Sequence, residues 1–212
     1  MSHPFDVRWS GIGTGGALAA DFVNTLDWRL RDEPREGLGN YAELVRFSWS
    51  AGILTDSEAR SLLDWAEAHP RSAARELARA IEVREAIALL FAAVRDGTRL
   101  PIEPLGVLDA ACRSGASDRS LRPAGRFATW GRNSGSTPPQ RPVWAVAEDA
   151  ARILTSPERE RLCQCGDAEC GWFFLDTSRN RSRRWCSMES CGNRNKARSF
   201  YRRARGRPAK SS

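Results

Sequence analysis

Five of the chain's six cysteines fall between positions 163 and 191. Cys165 and Cys170 enclose four residues, Cys186 and Cys191 enclose four more, and fifteen residues separate the two pairs. Two short-spaced pairs joined by a loop suit a tetrahedral ion, because each pair folds as a knuckle that aims two thiolates at one metal. Crowded thiols need a cation to stay deprotonated at neutral pH, and one zinc per chain supplies it. Four thiolates close the coordination sphere, so the expected metal is structural and not catalytic. The alternatives are two disulfides or inert buried thiols, which a reducing compartment disfavours. Cys163 is a rival for the first ligand position, but Cys165 makes the knuckles equal in length. Cys112 lies far away on an apolar helix face and reads as a core residue.

The residues around the knuckles suggest what the metal would hold together. Trp172, Phe173, Phe174, Leu175 and Trp185 can supply a small apolar core, although aromatics can also stack on bases. A helix follows Cys191. On a wheel, Ala197, Phe200 and Ala204 share one side, which is expected to face the metal core. Arg194, Arg198, Arg202 and Arg205 share another, expected to face phosphates and guanine edges of duplex DNA, with Asn193 and Lys196 beside them. Arg179, Arg181, Arg183 and Arg184 form a second basic group between the knuckles. Past the helix, Arg205-Gly206-Arg207-Pro208 is either a chance product of an arginine-rich chain or, being similar to an AT-hook core, an arm whose Arg207 would enter a minor groove. Residues 157–212 carry 14 basic against 6 acidic side chains, whereas residues 1–156 carry 19 against 20. A basic end on a near-neutral body suggests a polyanion partner.

The elements that must position this site are mostly helical. Apolar spacing predicts helices over 15–26, 41–51, 55–68, 72–95, 104–112 and 143–154. Thr55 and Glu58 form a capping box at the start of the third. Between 114 and 142 the chain is rich in Gly, Ser, Pro and Arg, and Arg126–Trp130 reads as a strand, half of a hairpin. Ser156-Pro157 is a natural boundary. The expected architecture is therefore mainly α: a helical N-terminal domain over 1–155 with a small β element, a C-terminal four-cysteine module over 157–205 ending in a basic helix, and a basic tail over 206–212. On this division, loss of metal would unfold the module and spare the helices.

Asp21, Asn24, Thr25 and Arg29 crowd polar groups in and just beyond the first helix. They form either a hydrogen-bond network or a pocket for a small-molecule effector. Trp28, Trp49 and Trp65 are expected in the core. No enzyme is expected. The two histidines, His3 and His69, lie at a terminus and beside a helix end, there is no phosphate-binding lysine loop, and a closed zinc site leaves no position for substrate. No apolar run reaches the length of a membrane span, and no signal peptide is evident, so the expected location is the cytosol.

Trp185-Cys186-Ser187-Met188, Cys191-Gly192-Asn193-Arg194 and the upstream Asp176-x-Ser178-Arg179-Asn180 resemble the CGNR zinc finger over about residues 157–205. Leu18-Ala19-Ala20-Asp21-Phe22-Val23-Asn24-Thr25-Leu26 is similar to the opening of the ABATE domain that commonly precedes that finger. The resemblance implies a bacterial, nucleoid-associated regulator of transcription under stress that binds double-stranded DNA. It also implies zinc on Cys165, Cys170, Cys186 and Cys191. A homodimer is compatible with it. The other reading is an RNA-binding or zinc-dependent protein–protein module, since positive charge alone does not separate DNA from RNA.

Overall fold

A computed structural model describes residue Trp9 and residues 11–132 and 137–205, with the side chains of 132 and 202–205 excluded. The expected His3 terminus and the 206–212 tail, with Arg207, lie outside the described residues. Seven α-helices are present among the described residues: α1 (Leu18–Val23), α2 (Tyr41–Ser50), α3 (Asp56–Ala68), α4 (Pro70–Arg95), α5 (Ile102–Ala116), α6 (Arg141–Thr155) and α7 (Asn193–Arg205). Short antiparallel pairs complete it: β1 (Leu26–Asp27) with β2 (Arg35–Glu36), β3 (Arg119–Ala124) with β4 (Phe127–Arg132), and β5 (Leu162–Gln164) with β6 (Phe173–Leu175). The fold is mainly α, as the spacing predicted. No helix among the described residues is long and apolar enough to cross a membrane.

Local chemistry accounts for most helix ends. The Asn40 side chain caps α2 by accepting from the Glu43 amide, and the Thr55–Glu58 capping box opens α3. Pro70 occupies the first turn of α4, where a missing N–H costs nothing, so the helix starts two residues before the expected Ser72. Helix α1 is shorter than predicted and stops at Val23. Its polar residues explain the difference. Thr25 Oγ1 donates to the Phe22 carbonyl, and the Asn24 side chain is committed elsewhere.

One apolar core joins α1, α2, α4 and α6 with Leu162, Phe173 and Leu175 of the β5–β6 hairpin. Phe173 packs edge-on against Phe91 of α4, with ring centroids 5.8 Å apart. Asn24, the buried C-cap of α1, serves β6 as a strand neighbour would. Its amide donates to the Phe173 carbonyl at 2.9 Å, and its oxygen accepts from the Phe173 amide at 2.8 Å. The Leu175 amide donates to Gly15. Helices and cysteine module therefore share a core, so metal loss is expected to destabilise the helices too, where the sequence suggested that they would be spared.

A polar network backs this junction. Arg84 of α4 is 2% exposed and donates to both carboxylate oxygens of Glu36, at 2.6 and 2.7 Å, to Glu85 at 2.8 Å and to Thr25 at 3.2 Å. Two carboxylates and a hydroxyl offset the desolvation of this guanidinium. Glu85 also pairs with Arg29, which donates to the Val23 carbonyl.

Asn24→Ala would orphan a buried amide and a buried carbonyl of Phe173. At about 1–3 kcal/mol for each unsatisfied group, it should cost about 2–6 kcal/mol in chemical denaturation. A denaturation curve superimposable on that of the unsubstituted chain would contradict the coupling.

Candidate metal centre

Cys165, Cys170, Cys186 and Cys191 are all buried, and their sulfurs lie within 4.8 Å of one another. The Cys170–Cys186 and Cys186–Cys191 sulfur separations are 3.7 and 3.6 Å. A tetrahedron with Zn–S of about 2.3 Å places its sulfurs about 3.8 Å apart. These separations exclude a disulfide, whose sulfurs lie about 2 Å apart. Left without a cation, the thiols conflict. Hydrogen bonds from Cys170 and Cys186 hold the Cys165 thiol far below its ordinary value, while donating to Cys165 pushes Cys170 well up. One zinc ion resolves the conflict by binding four thiolates, and the donor set fits a closed, structural site.

The first knuckle continues the β5–β6 hairpin. The Cys165 amide donates to the Trp172 carbonyl, one step past the strand register. Cys163 sits opposite Phe174 in that register. Two residues back on the same strand face is about 6.6 Å away, too far to reach the ion, and Cys163 packs behind the cluster. Gly171 closes the knuckle at φ +73°, with Arg29 and Leu30 pressed against it. The second knuckle is a π-helical turn over Met188–Gly192, capped by the Ser187 side chain.

The Cys191-Gly192-Asn193-Arg194 run has a physical account at each position. Cys191 is a ligand. A Cβ at Gly192 would meet the Met188 sulfur at 2.8 Å. Asn193 donates to the Glu189 carbonyl across the turn. Arg194 donates to the Cys191 sulfur at 2.9 Å and to Asp167 at 3.0 Å, and lies over the Trp28 ring at 4.3 Å. Four thiolates around one zinc leave a net charge of −2, which a guanidinium bonded to a ligand sulfur partly offsets.

Asp167 organises the far side. Its side chain is fully buried and accepts from Arg194, Asn195, Arg198 and the Glu169 amide. Burial alone would raise its carboxyl, but the Arg194 and Glu169 hydrogen bonds and the nearby guanidiniums together hold it below the ordinary value. This reverses the expected faces of α7. Arg194 and Arg198 both donate to Asp167, Arg198 with its side chain still 41% exposed, while Ala197 and Phe200 are exposed, Phe200 at 64%. The physical reason is that a buried carboxylate beside a thiolate cluster binds guanidinium more strongly than a small apolar core attracts alanine and phenylalanine. Sequence reasoning missed Asp167. The signal available was an acid set between two ligand cysteines in an otherwise basic module.

Arg183 is also internal. It donates to the Trp185, Cys186 and Thr14 carbonyls and covers the Phe174 ring at 4.4 Å. Asp176, buried, accepts from the Ser178 and Arg183 amides and fixes the loop between the knuckles. Arg179, Arg181, Arg184 and Lys196 are exposed, Arg181 lying 3.8 Å from Glu160. Arg202 and Arg205 lie on α7, but their side chains are outside the described residues.

The module docks on the loop after α1. The Arg29 and Leu30 amides donate to the Cys170 and Glu169 carbonyls, and Arg31 pairs with Glu169 at 2.7 Å. Trp28, expected in the core, is instead a platform. It adopts φ +54° and lies between the guanidiniums of Arg31 and Arg194. Trp49 and Trp65 do pack against the core. The polar quartet of α1 is engaged inside the protein: Asp21 accepts from the Gly13 and Gly15 amides, Asn24 pairs with Phe173, Thr25 bonds Phe22 and Arg84, and Arg29 bonds Glu85. Asn24 and Thr25 border a cleft of about 480 Å³ that Asp27, Glu36, Arg46 and Trp172 also line.

Metal analysis of the purified chain should give one zinc equivalent, unchanged in Cys163→Ser. Cys191→Ser should lose the metal and lower the melting temperature of the helices as well as of the module. Retention of zinc by Cys191→Ser, or its loss from Cys163→Ser, would refute the ligand set.

Comparison with protein families agrees with the two halves of this architecture. Residues 161–204 match the CGNR zinc finger, and residues 16–157 match ABATE, described as a "putative stress-induced transcription regulator". None of the curated proteins matches the chain. The second of these matches spans most of the chain, and the buried tetrathiolate cluster is the feature that the first describes: the protein belongs to the ABATE family and carries a CGNR zinc finger.

Proposed function

We propose that the protein regulates transcription by binding duplex DNA through the exposed basic face of its zinc finger. The observation that carries this reading is a polar groove of about 380 Å³ between the knuckles and α7. Gly166, Arg184, Trp185, Gly192, Asn195, Lys196 and Ser199 line it, and none of them is acidic. Arg184 and Lys196 stand at this groove, exposed to solvent. Arg179 and Arg181 lie in the same inter-knuckle loop, and Arg202, Arg205 and Arg207 extend the positive charge along the chain. Residues 177–212 hold 12 basic side chains against one acid. The zinc contributes rigidity, because it fixes the spacing between the loop and α7 that a phosphate backbone would meet. Arg183, Arg194 and Arg198 serve a different purpose. They hold the finger together, so their loss would weaken binding through folding and not through contact. An effector is not proposed at Asp21, Asn24, Thr25 and Arg29, whose polar groups are engaged internally.

Each phosphate contact contributes about −0.9 to the slope of log K against log salt on duplex DNA. Arg184→Ala with Lys196→Ala should therefore flatten the slope by about 1.8 and leave zinc content intact. An unchanged slope would remove this groove from the interface. Tighter binding to single-stranded RNA than to duplex DNA would overturn the DNA reading in favour of the RNA one.

A further inference from the structure

The β3–β4 ribbon and the groove beside it are both unexplained by DNA binding through the finger. We propose that the ribbon of one copy docks in the α4–α5–α6 groove of a second copy, and reciprocally, to form a two-fold dimer.

The ribbon is a two-stranded sheet with no third strand among the described residues. Glycine at φ +63° (Gly125) makes its two-residue turn, in the first turn position where a II′ hairpin takes glycine. Leu121 faces Trp130 across the register, and they are 62% and 61% exposed. Phe127, at the turn, is 68% exposed. Leu121 and Trp130 share one face of the ribbon, left in water, and mark it as an interaction surface, while Phe127, paired with Ala124, belongs to the other face beside the turn. Arg119 lies over the Trp130 ring at 4.8 Å and Arg126 over Phe127 at 5.0 Å, so cations accompany the aromatics. Aromatic and arginine side chains together are what interface centres favour.

The groove has the opposite character. Its volume is about 570 Å³, its walls include Val83, Val107, Ala111, Val143 and Trp144, and Glu76, Glu82 and Glu103 stand along it. Arg79 pairs with Glu76 at 3.5 Å, while Glu82 and Glu103 bring further negative charge. A Cβ on Gly106 would meet nothing within 4 Å, so the groove is open at that point. An apolar trough with acidic edges is the complement of an apolar ribbon with basic edges.

Charge selects the occupant. Residues 119–132 hold four arginines and no acid, which leaves 15 arginines against 20 acids in the rest of residues 1–156. Two ribbons would repel each other, whereas ribbon and groove attract. Arg119 already lies 3.9 Å from Glu148 of α6, and duplex DNA on the ribbon would leave the apolar groove without an occupant. Position supports the same choice. The groove is lined by Ser114 near the end of α5 and by Gln140, Val143 and Trp144 at the start of α6, the two helices that the ribbon connects. A surface patch that carries both halves of a complementary pair closes on itself about a two-fold axis.

Sedimentation equilibrium on the full, zinc-loaded chain tests this. The unsubstituted protein should be a dimer at micromolar concentration. Leu121→Ala with Trp130→Ala, and separately Glu82→Arg with Glu103→Arg, should each raise the dimer Kd at least about 30-fold, the size expected when an interface anchor is lost. Unchanged circular dichroism and zinc content in both variants would show that they fold. Mixing the two variants should recover part of the lost affinity as a heterodimer, because that pair keeps one intact ribbon–groove contact where each variant alone keeps none. A monomeric unsubstituted chain, variants that remain dimeric, or no recovery on mixing would each overturn the proposal. Ribbon variants that lose DNA affinity with no change in mass would assign the ribbon to nucleic acid instead.

Discussion

Four sulfurs confined within 4.8 Å of one another cannot all ionise without a cation, and the rest of the structure is arranged around that constraint. The knuckles supply the sulfurs and the zinc supplies the charge. What remains is a dianionic cluster, and Arg194 stands against its Cys191 sulfur. Arg194 cannot be placed there alone, since a guanidinium at the edge of a core needs partners. Asp167 is one and the Trp28 ring is another. Through these two contacts the metal sets the position of α7 on one side and engages the helical domain on the other.

The junction between the two halves is unusually continuous for a finger joined to a helical domain. Phe173 and Leu175, on the strand between the knuckles, are buried in the same core as Phe22, Ile87 and Phe91. Asn24 completes the hydrogen bonding of that strand, and Arg29 links the first knuckle to Glu85 and so to the buried Arg84. The zinc therefore organises more than the fifty residues that contain its ligands.

Much of this was legible in the sequence. Cysteine spacing identified the ligands because a tetrahedral ion imposes a pattern that few other constraints produce. Helix positions followed from apolar spacing and from the Thr55–Glu58 capping box, whereas the Asn40 cap and the start of α4 at Pro70 did not. The polarity of α7 was not legible. A helical wheel gives two faces but does not say which is buried, and the usual assumption that apolar means inward fails when the nearest interior holds a carboxylate and thiolates. Arg194 was read as wholly outward for that reason, and the hold of Asp167 on Arg198 was missed with it. Trp28 was misread for a related one, since its ring is sandwiched by cations on the surface and not by aliphatic neighbours. The docking of β5–β6 into the helical core joins residues about 150 positions apart, Asn24 and Phe173, and no local pattern announces such a contact.

The most direct test of this account is hydrogen exchange on the intact chain before and after the zinc is chelated. If metal centre and helices are one cooperative unit, amides of α1 and of the α4 turns around Ile87–Phe91 should lose protection together with those of β5, β6 and α7. Loss confined to residues after 157, with α1 and α4 as protected as before, would contradict it.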